Sequence, residues 1–223
     1  MMIIGNGRLI TRNAAEPYYE NGAVVTENEL IKETGTTAEM RLKYPDAEFV
    51  DAKGGVIMPA FINAHTHIYS ALARGLSIAG YNPTNFYEVL DGMWWKIDRS
   101  LTLEDTRRSA YTTIIDCIKT GCTTIFDHHA SFCQIEGSLF AIADAAKALG
   151  IRACLCYEVS ERDGENKCDE SIEENKSFID HCERENDPML KAMFGGHALF
   201  TIGDKTFEKC VKANGGRTGF HIH

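Results

Sequence analysis

Apolar positions along the first part of the chain come in short runs, and their period then changes. "MIIGNGRLIT", "GAVVTENELIKETG" and "AEFVDAKGGVIM" read as β-like pieces divided by Gly, Asn and Asp turn signals. Between them "TAEMRLKYP" predicts one or two helical turns ending before Pro45, because the residue ahead of a proline avoids the α region. Pieces this short bury too little surface to be comfortably stable alone. From residue 58 onward, strands and helices alternate. "VIMPAFINAHTH" predicts an apolar strand, and after a long irregular loop "TLEDTRRSAYTTIIDCIKTG" predicts a helix with Thr102 as N-cap and Gly121 as its stop. Ala110, Ile114 and Ile118 fall on one face of that helix. "CTTIFDHH", "IRACLCYEV", "LKAMFGGHAL" and "TGFHIH" continue as strands; "GSLFAIADAAKALG", "DESIEENKSFIDHCERE" and "DKTFEKCVKANG" are the helices between them.

Near-continuous apolar strands separated by helices predict a parallel sheet covered by helices, an α/β fold. The expected division is residues 1–57, small and β-rich, and residues 58–223, the α/β part. Polar residues then gather at the strand ends: His65 and His67, Asp127 with His128 and His129, Glu158, His197, and His221 with His223. In parallel α/β folds, ligands collect at the carboxyl ends of the strands. In His-x-His on a strand, residues i and i+2 share a face, so two imidazoles converge on one point. Neutral imidazole is the common zinc ligand, which makes both pairs candidates for a divalent metal.

Composition narrows the class. A formal charge of −9 and a pI near 5.4 argue against nucleic-acid and anionic-membrane binding. No apolar run approaches a membrane span, and "MMIIGNGRLITRN" lacks the features of a signal peptide, so a cytoplasmic location is expected. The eight cysteines include no C-x-x-C and are expected to be reduced, most of them as small buried hydrophobes.

"DAKGGVIMPAFINAHTHIYSALARGL", followed in order by "WWKIDRSLTLED", "GCTTIFDHH", "FGGHALFTIGD" and "GFHIH", resembles the amidohydrolase superfamily along the whole chain. The resemblance is to its branch of cytosine, guanine and S-adenosylhomocysteine deaminases and triazine chlorohydrolases, and within it to SsnA-type aminohydrolases. Ala60 departs from the pattern, which usually has glycine after that proline. The resemblance implies a (β/α)8 barrel with a small β-sandwich, of which this chain carries about five of the eight strands. It implies His65, His67 and His223 as metal ligands, with His221 a neighbour, and His197 and Asp98 as substrate contacts. The implied cofactor is one divalent ion, zinc first and iron as the alternative. Trp94 and Trp95 are read as pocket walls or packing, Arg74 as an ion-pair partner with an anionic substrate group as the alternative, and His128 and His129 as hydrogen-bonded pocket residues with metal ligation as the alternative.

The implied reaction is hydrolytic deamination of a heterocyclic or amidine-type small molecule. The alternatives are a chlorohydrolase, a ring-opening amidohydrolase or a non-catalytic metal-binding scaffold. The carbamylated lysine of many ring-opening relatives has no counterpart in "RACLCYEVS" or "MFGGHALF", which favours deamination at a mononuclear site. The family's general acid/base glutamate lies three residues beyond the strand-five histidine, so none is expected within these 223 residues. A (β/α)8 barrel typically takes about 250 residues. The chain is therefore expected to be an incomplete, inactive part of an enzyme that is a homodimer or higher oligomer at full length.

Overall fold

The computed structural model describes residues 1–223, which fold as two compact units, Met1–Ala60 and Phe61–His223. In the first, β1 (Met2–Ile10), β2 (Tyr18–Glu27), β3 (Leu30–Thr36), β4 (Glu48–Asp51) and β5 (Val56–Ile57) form one mixed sheet in the order β3-β2-β1-β4, with β5 also on β1. Burial alternates along β1, where Ile3, Gly5, Gly7 and Leu9 face inward, as a half-buried strand requires. The piece read as one run, "GAVVTENELIKETG", is a hairpin, because Asn28 takes a left-handed conformation (φ 55°) that turns β2 into β3. The short helix α1 (Thr37–Lys43) opens on a capping box between Thr36 and Glu39 and lays Met40 against Ile3, Ala23 and Val25.

The second unit begins with β6 (Phe61–Thr66) and a 3₁₀ turn (Ile68–Ala73). The stretch expected to be an irregular loop carries two short helices, α2 (Phe86–Val89) and α3 (Trp95–Asp98), joined by a π-type turn at Leu90–Trp94. Then follow α4 (Leu103–Lys119), β7 (Cys122–His129), α5 (Ser138–Leu149), β8 (Arg152–Tyr157), α6 (Glu165–Glu185), β9 (Leu190–Ala192), β10 (Phe194–Gly196), α7 (Asp204–Asn214) and β11 (Phe220–Ile222). Strands β6-β7-β8-β9 make one parallel sheet and β10-β11 a second, without closing into a barrel. The fold is mixed α/β, with the alternation of strand and helix of a partial (β/α)8 barrel.

Helices α4, α5 and α6 cover this sheet, with Ile114, Leu139, Ile142 and Phe178 packed on Ile125, Leu155 and Tyr157. Thr102 caps α4 in a capping box with Asp105. Helix α5 has only Gly137 as its cap, and the acceptor comes from α6: Glu174 takes hydrogen bonds from the N–H groups of Gly137 and Leu139, both at 2.9 Å. Ala110 and Ile114 are buried as expected, whereas Ile118 is 42% exposed.

"LKAMFGGHAL", read as one strand, is two. The chain changes partner at Met193, whose N–H still bonds Leu155 while Phe194 N–H turns to Gly219 near β11. The Tyr157 backbone, which β9 no longer reaches, is satisfied by the Asn175 side chain of α6 at 2.9 Å in both directions. The same amide oxygen accepts from Gly195 N at 3.2 Å. Glycine is needed at 195, because a Cβ there would run into the Tyr157 carbonyl. No helix is long and apolar enough to cross a membrane.

Candidate metal centre and adjoining cavity

His65 lies near the end of β6, and His67 follows the strand by one residue. The turn after His67 is pinned by Asp127 of β7, whose Oδ1 accepts from Ile68 N at 2.7 Å. His223 follows β11 and is held by two backbone bonds, its N–H to Gly196 O at 3.0 Å and its carbonyl from Ala198 N at 2.9 Å. Three side chains from two distant segments thereby bring their Nε2 atoms together. The separations are 3.2 Å for His65–His67, 3.1 Å for His67–His223 and 2.9 Å for His223–His65.

Protonation decides what this triangle can do. His67 Nδ1 stands 2.9 Å from the His128 carbonyl oxygen, which only accepts, so the proton of the neutral ring is on Nδ1 and Nε2 offers a lone pair. Burial lowers the pKa of His67 and, with the neighbouring His67 and His65, brings that of His223 down to about 4. With His67 Nε2 offering a lone pair, hydrogen bonds cannot serve all three nitrogen–nitrogen edges at once, so at least one edge is repulsive. A cation converts that repulsion into attraction. Tetrahedral ligands at 2.0–2.1 Å from zinc stand about 3.3 Å apart, close to the observed spacing, so the donor set fits a divalent ion.

Two hollows meet at His67. One is an open cleft of about 730 Å³ lined by His65, Ser70, Arg74 and Asp116 among others. The other, about 190 Å³, is lined by His67, Tyr69, Ser70, Phe86, Leu90, Trp94, His197 and His223. The smaller suits a planar heterocycle better, because aromatic faces enclose it and ring nitrogens point at one wall. Arg74 spends its charge on Asp116 at 2.8 Å. Trp94 lines the smaller cavity; Trp95 is buried beside it.

His197 follows β10, its ring stacked on that of His223 at 4.7 Å and 23°. Burial and the neighbouring His223 and His67 push its pKa down to about 3, so it is neutral. Its Nδ1 stands 3.2 Å from Glu158 Oε2, within ion-pair range but off the direction of a hydrogen bond. Glu158 is in turn held through Oε1 by Arg162 Nε at 2.9 Å.

Arg162 also grips Asp98 with both terminal nitrogens, at 2.6 and 3.3 Å, and Asp163 at 3.0 Å. Its guanidinium lies 3.8 Å from the Phe132 ring centre and 5.0 Å from that of Trp95. The Asp98 carboxylate, 1% exposed, is committed to Arg162 and is not among the residues lining the smaller cavity. Sequence reading did not pick out Arg162. The signal available was Glu158 and Arg162 four residues apart, followed by Asp163.

His129 is buried with Nε2 on the Ser131 hydroxyl at 3.0 Å. His128 is buried against Cys156, and His221 points to the same sulfur and away from the three-nitrogen cluster. All eight cysteines are free, and five of them are buried.

Residues 56–223 match the family described as "Amidohydrolase family". Residues 22–47 match the bacterial imidazolonepropionase-like composite domain. Among curated proteins, the chain is 30% identical over its whole length to a 5'-deoxyadenosine deaminase of Methanosarcina barkeri, covering 48% of that protein. It is 28% identical to a 5-methylthioadenosine/S-adenosylhomocysteine deaminase of Syntrophomonas wolfei, again over 100% of the chain and 48% of the relative. Among solved structures, a zinc complex of atrazine chlorohydrolase from Arthrobacter aurescens superposes with a TM-score of 0.79 at 20% identity, over 100% of the chain and 52% of that structure. Guanine deaminase of E. coli gives 0.79 at 16% identity, over 100% and 53%. The chain spans about half the length of the curated relatives it matches.

Proposed function

The chain belongs to the amidohydrolase family, and on that premise we propose that it supplies the metal-binding and substrate-facing part of a hydrolytic aminohydrolase. The observation that carries the reading is the convergence of His65, His67 and His223 Nε2 atoms to 2.9–3.2 Å at the wall of an aromatic cavity. These three side chains hold a divalent ion, with zinc favoured by the all-imidazole donor set. A bound zinc supplies Lewis acidity and makes water a nucleophile at neutral pH.

The chain's own residues supply position and exclusion of water. The His128 carbonyl keeps the proton of His67 on Nδ1 and its lone pair toward the ion. Tyr69, Phe86, Leu90 and Trp94 enclose a planar ring, and His197 meets it with a neutral imidazole. Glu158, fixed by Arg162, stands 3.2 Å from Nδ1 of that imidazole. Asp98 acts on the site through Arg162. The substrate class is an amino-substituted heterocycle, with 6-aminopurine nucleosides first because the deaminases this chain resembles are named for them. The segment Met1–Ala60 contributes to a small β-sandwich, and at native length the enzyme is a homodimer or higher oligomer.

His197→Ala separates substrate contact from metal ligation. In the native-length enzyme the variant should retain its metal by elemental analysis while kcat/KM for ammonia release falls by about 10²–10³-fold, the usual cost of one lost transition-state hydrogen bond. Loss of the metal along with activity would make His197 a ligand. Release of chloride from a chlorotriazine without ammonia from any aminopurine would favour the chlorohydrolase reading.

A further inference from the structure

We infer that His128, Cys156 and His221 form a second metal site, separate from the three-histidine centre and suited to a thiophilic divalent ion such as zinc, cobalt or cadmium.

The Cys156 sulfur stands 3.4 Å from His128 Nδ1 and 3.5 Å from His221 Nδ1, and all three donor atoms lie within 4.8 Å of one another. With zinc–sulfur near 2.3 Å and zinc–nitrogen near 2.0–2.1 Å, tetrahedral geometry puts sulfur and nitrogen about 3.5 Å apart. The two sulfur–nitrogen distances are those of ligands around one ion. No side chain is shared with the first centre.

The surroundings suit coordination better than packing. His128 is 1% exposed and Cys156 fully buried, so both donors are held away from bulk water. The Cys156 thiol has one weak acceptor, the Asp127 carbonyl at 3.4 Å, which leaves the sulfur lone pairs toward the two imidazoles. Each imidazole turns its Nδ1 toward the sulfur. Coordination deprotonates only Cys156 and releases one proton to solvent. One thiolate with two neutral imidazoles selects soft or borderline ions over magnesium and calcium.

The position gives the site a structural purpose. His128 comes from β7 and Cys156 from β8, in the four-stranded sheet, whereas His221 comes from β11 in the two-stranded sheet. An ion held by all three ties together two ladders that backbone pairing leaves separate. It also fixes β11, and so the backbone that carries His223.

Cobalt(II) titration of the metal-free protein tests the site with a readout independent of catalysis. A thiolate-to-cobalt charge-transfer band should grow in the near ultraviolet to about one equivalent, persist in His67→Ala, and disappear in Cys156→Ser. Cys156→Ser should also bind one equivalent less cobalt than wild type. Failure of the His67→Ala metal assignment would leave this band untouched, so the two centres are tested separately. Absence of the band in the wild-type protein, which requires no variant to fold, overturns the inference, as does its persistence in Cys156→Ser.

Discussion

In the native-length protein, His67→Ala is expected to lose the metal of the three-histidine centre and to reduce ammonia release to background. His67 contributes more than one of three donors, because it touches both His65 and His223 through Nε2 and is the only one of the three whose far nitrogen is fixed by a backbone carbonyl. Removing an outer partner of a metal-bound histidine typically costs 10–100-fold in affinity or activity. Removing the ligand itself leaves two imidazoles on exposed positions, too few to hold an ion against solvent. The loss should therefore exceed that range, by at least about another order of magnitude. Elemental analysis of dialysed protein beside an ammonia assay reads both effects. Equal metal content in wild type and variant would remove His67 from the site.

Arg162→Met is expected to be the most destabilising single change in the second unit. Asp98 and Glu158 are 1% and 4% exposed and share this one guanidinium, so its removal strands two buried carboxylates. Breaking a buried pair from one side costs about 3–5 kcal/mol, or roughly 10 °C in Tm for a chain of this size. Arg162→Lys should fall between, since an ammonium keeps the charge but cannot fork to both acids.

The pH dependence has a definite sign. Burial already raises Asp98 to about 7 against the pull of Arg162. Without the arginine it rises further, so above about pH 7 the folded variant still holds a proton that both the wild type and the unfolded chain have released. Stability contributed by such a group is full below the unfolded value and is lost as pH rises through the folded one. The Tm deficit of Arg162→Met should thus be smaller at pH 5.5 than at pH 8. A deficit that grows on acidification would mean that the carboxylates are not the source.

The parts of the site visible in the sequence were those governed by local geometry. Residues two apart on a strand share a face, which is enough to put His65 and His67 together. The same rule could not choose between His221 and His223, because both satisfy it. Resemblance to known enzymes named His223, and the fold shows what divides the pair: one ring reaches β6 and the other stops at Cys156. Cys156 carries no signal of its own in an apolar strand, since its partners lie 28 and 65 residues away. The Asp98–Arg162 pair spans 64 residues and was invisible for the same reason. The break at Met193 depends on how closely β10 approaches the Tyr157 carbonyl, a tertiary contact that no run of apolar residues encodes.

The central claim is that His65, His67 and His223 bind an ion on which hydrolytic deamination depends. Ammonia release from a 6-aminopurine nucleoside, measured on the native-length protein after complete chelation and again after zinc is restored, tests it most directly. The metal-free protein should give no release, and zinc should restore it in wild type but not in His67→Ala. Full activity in protein shown by elemental analysis to hold no metal would contradict it.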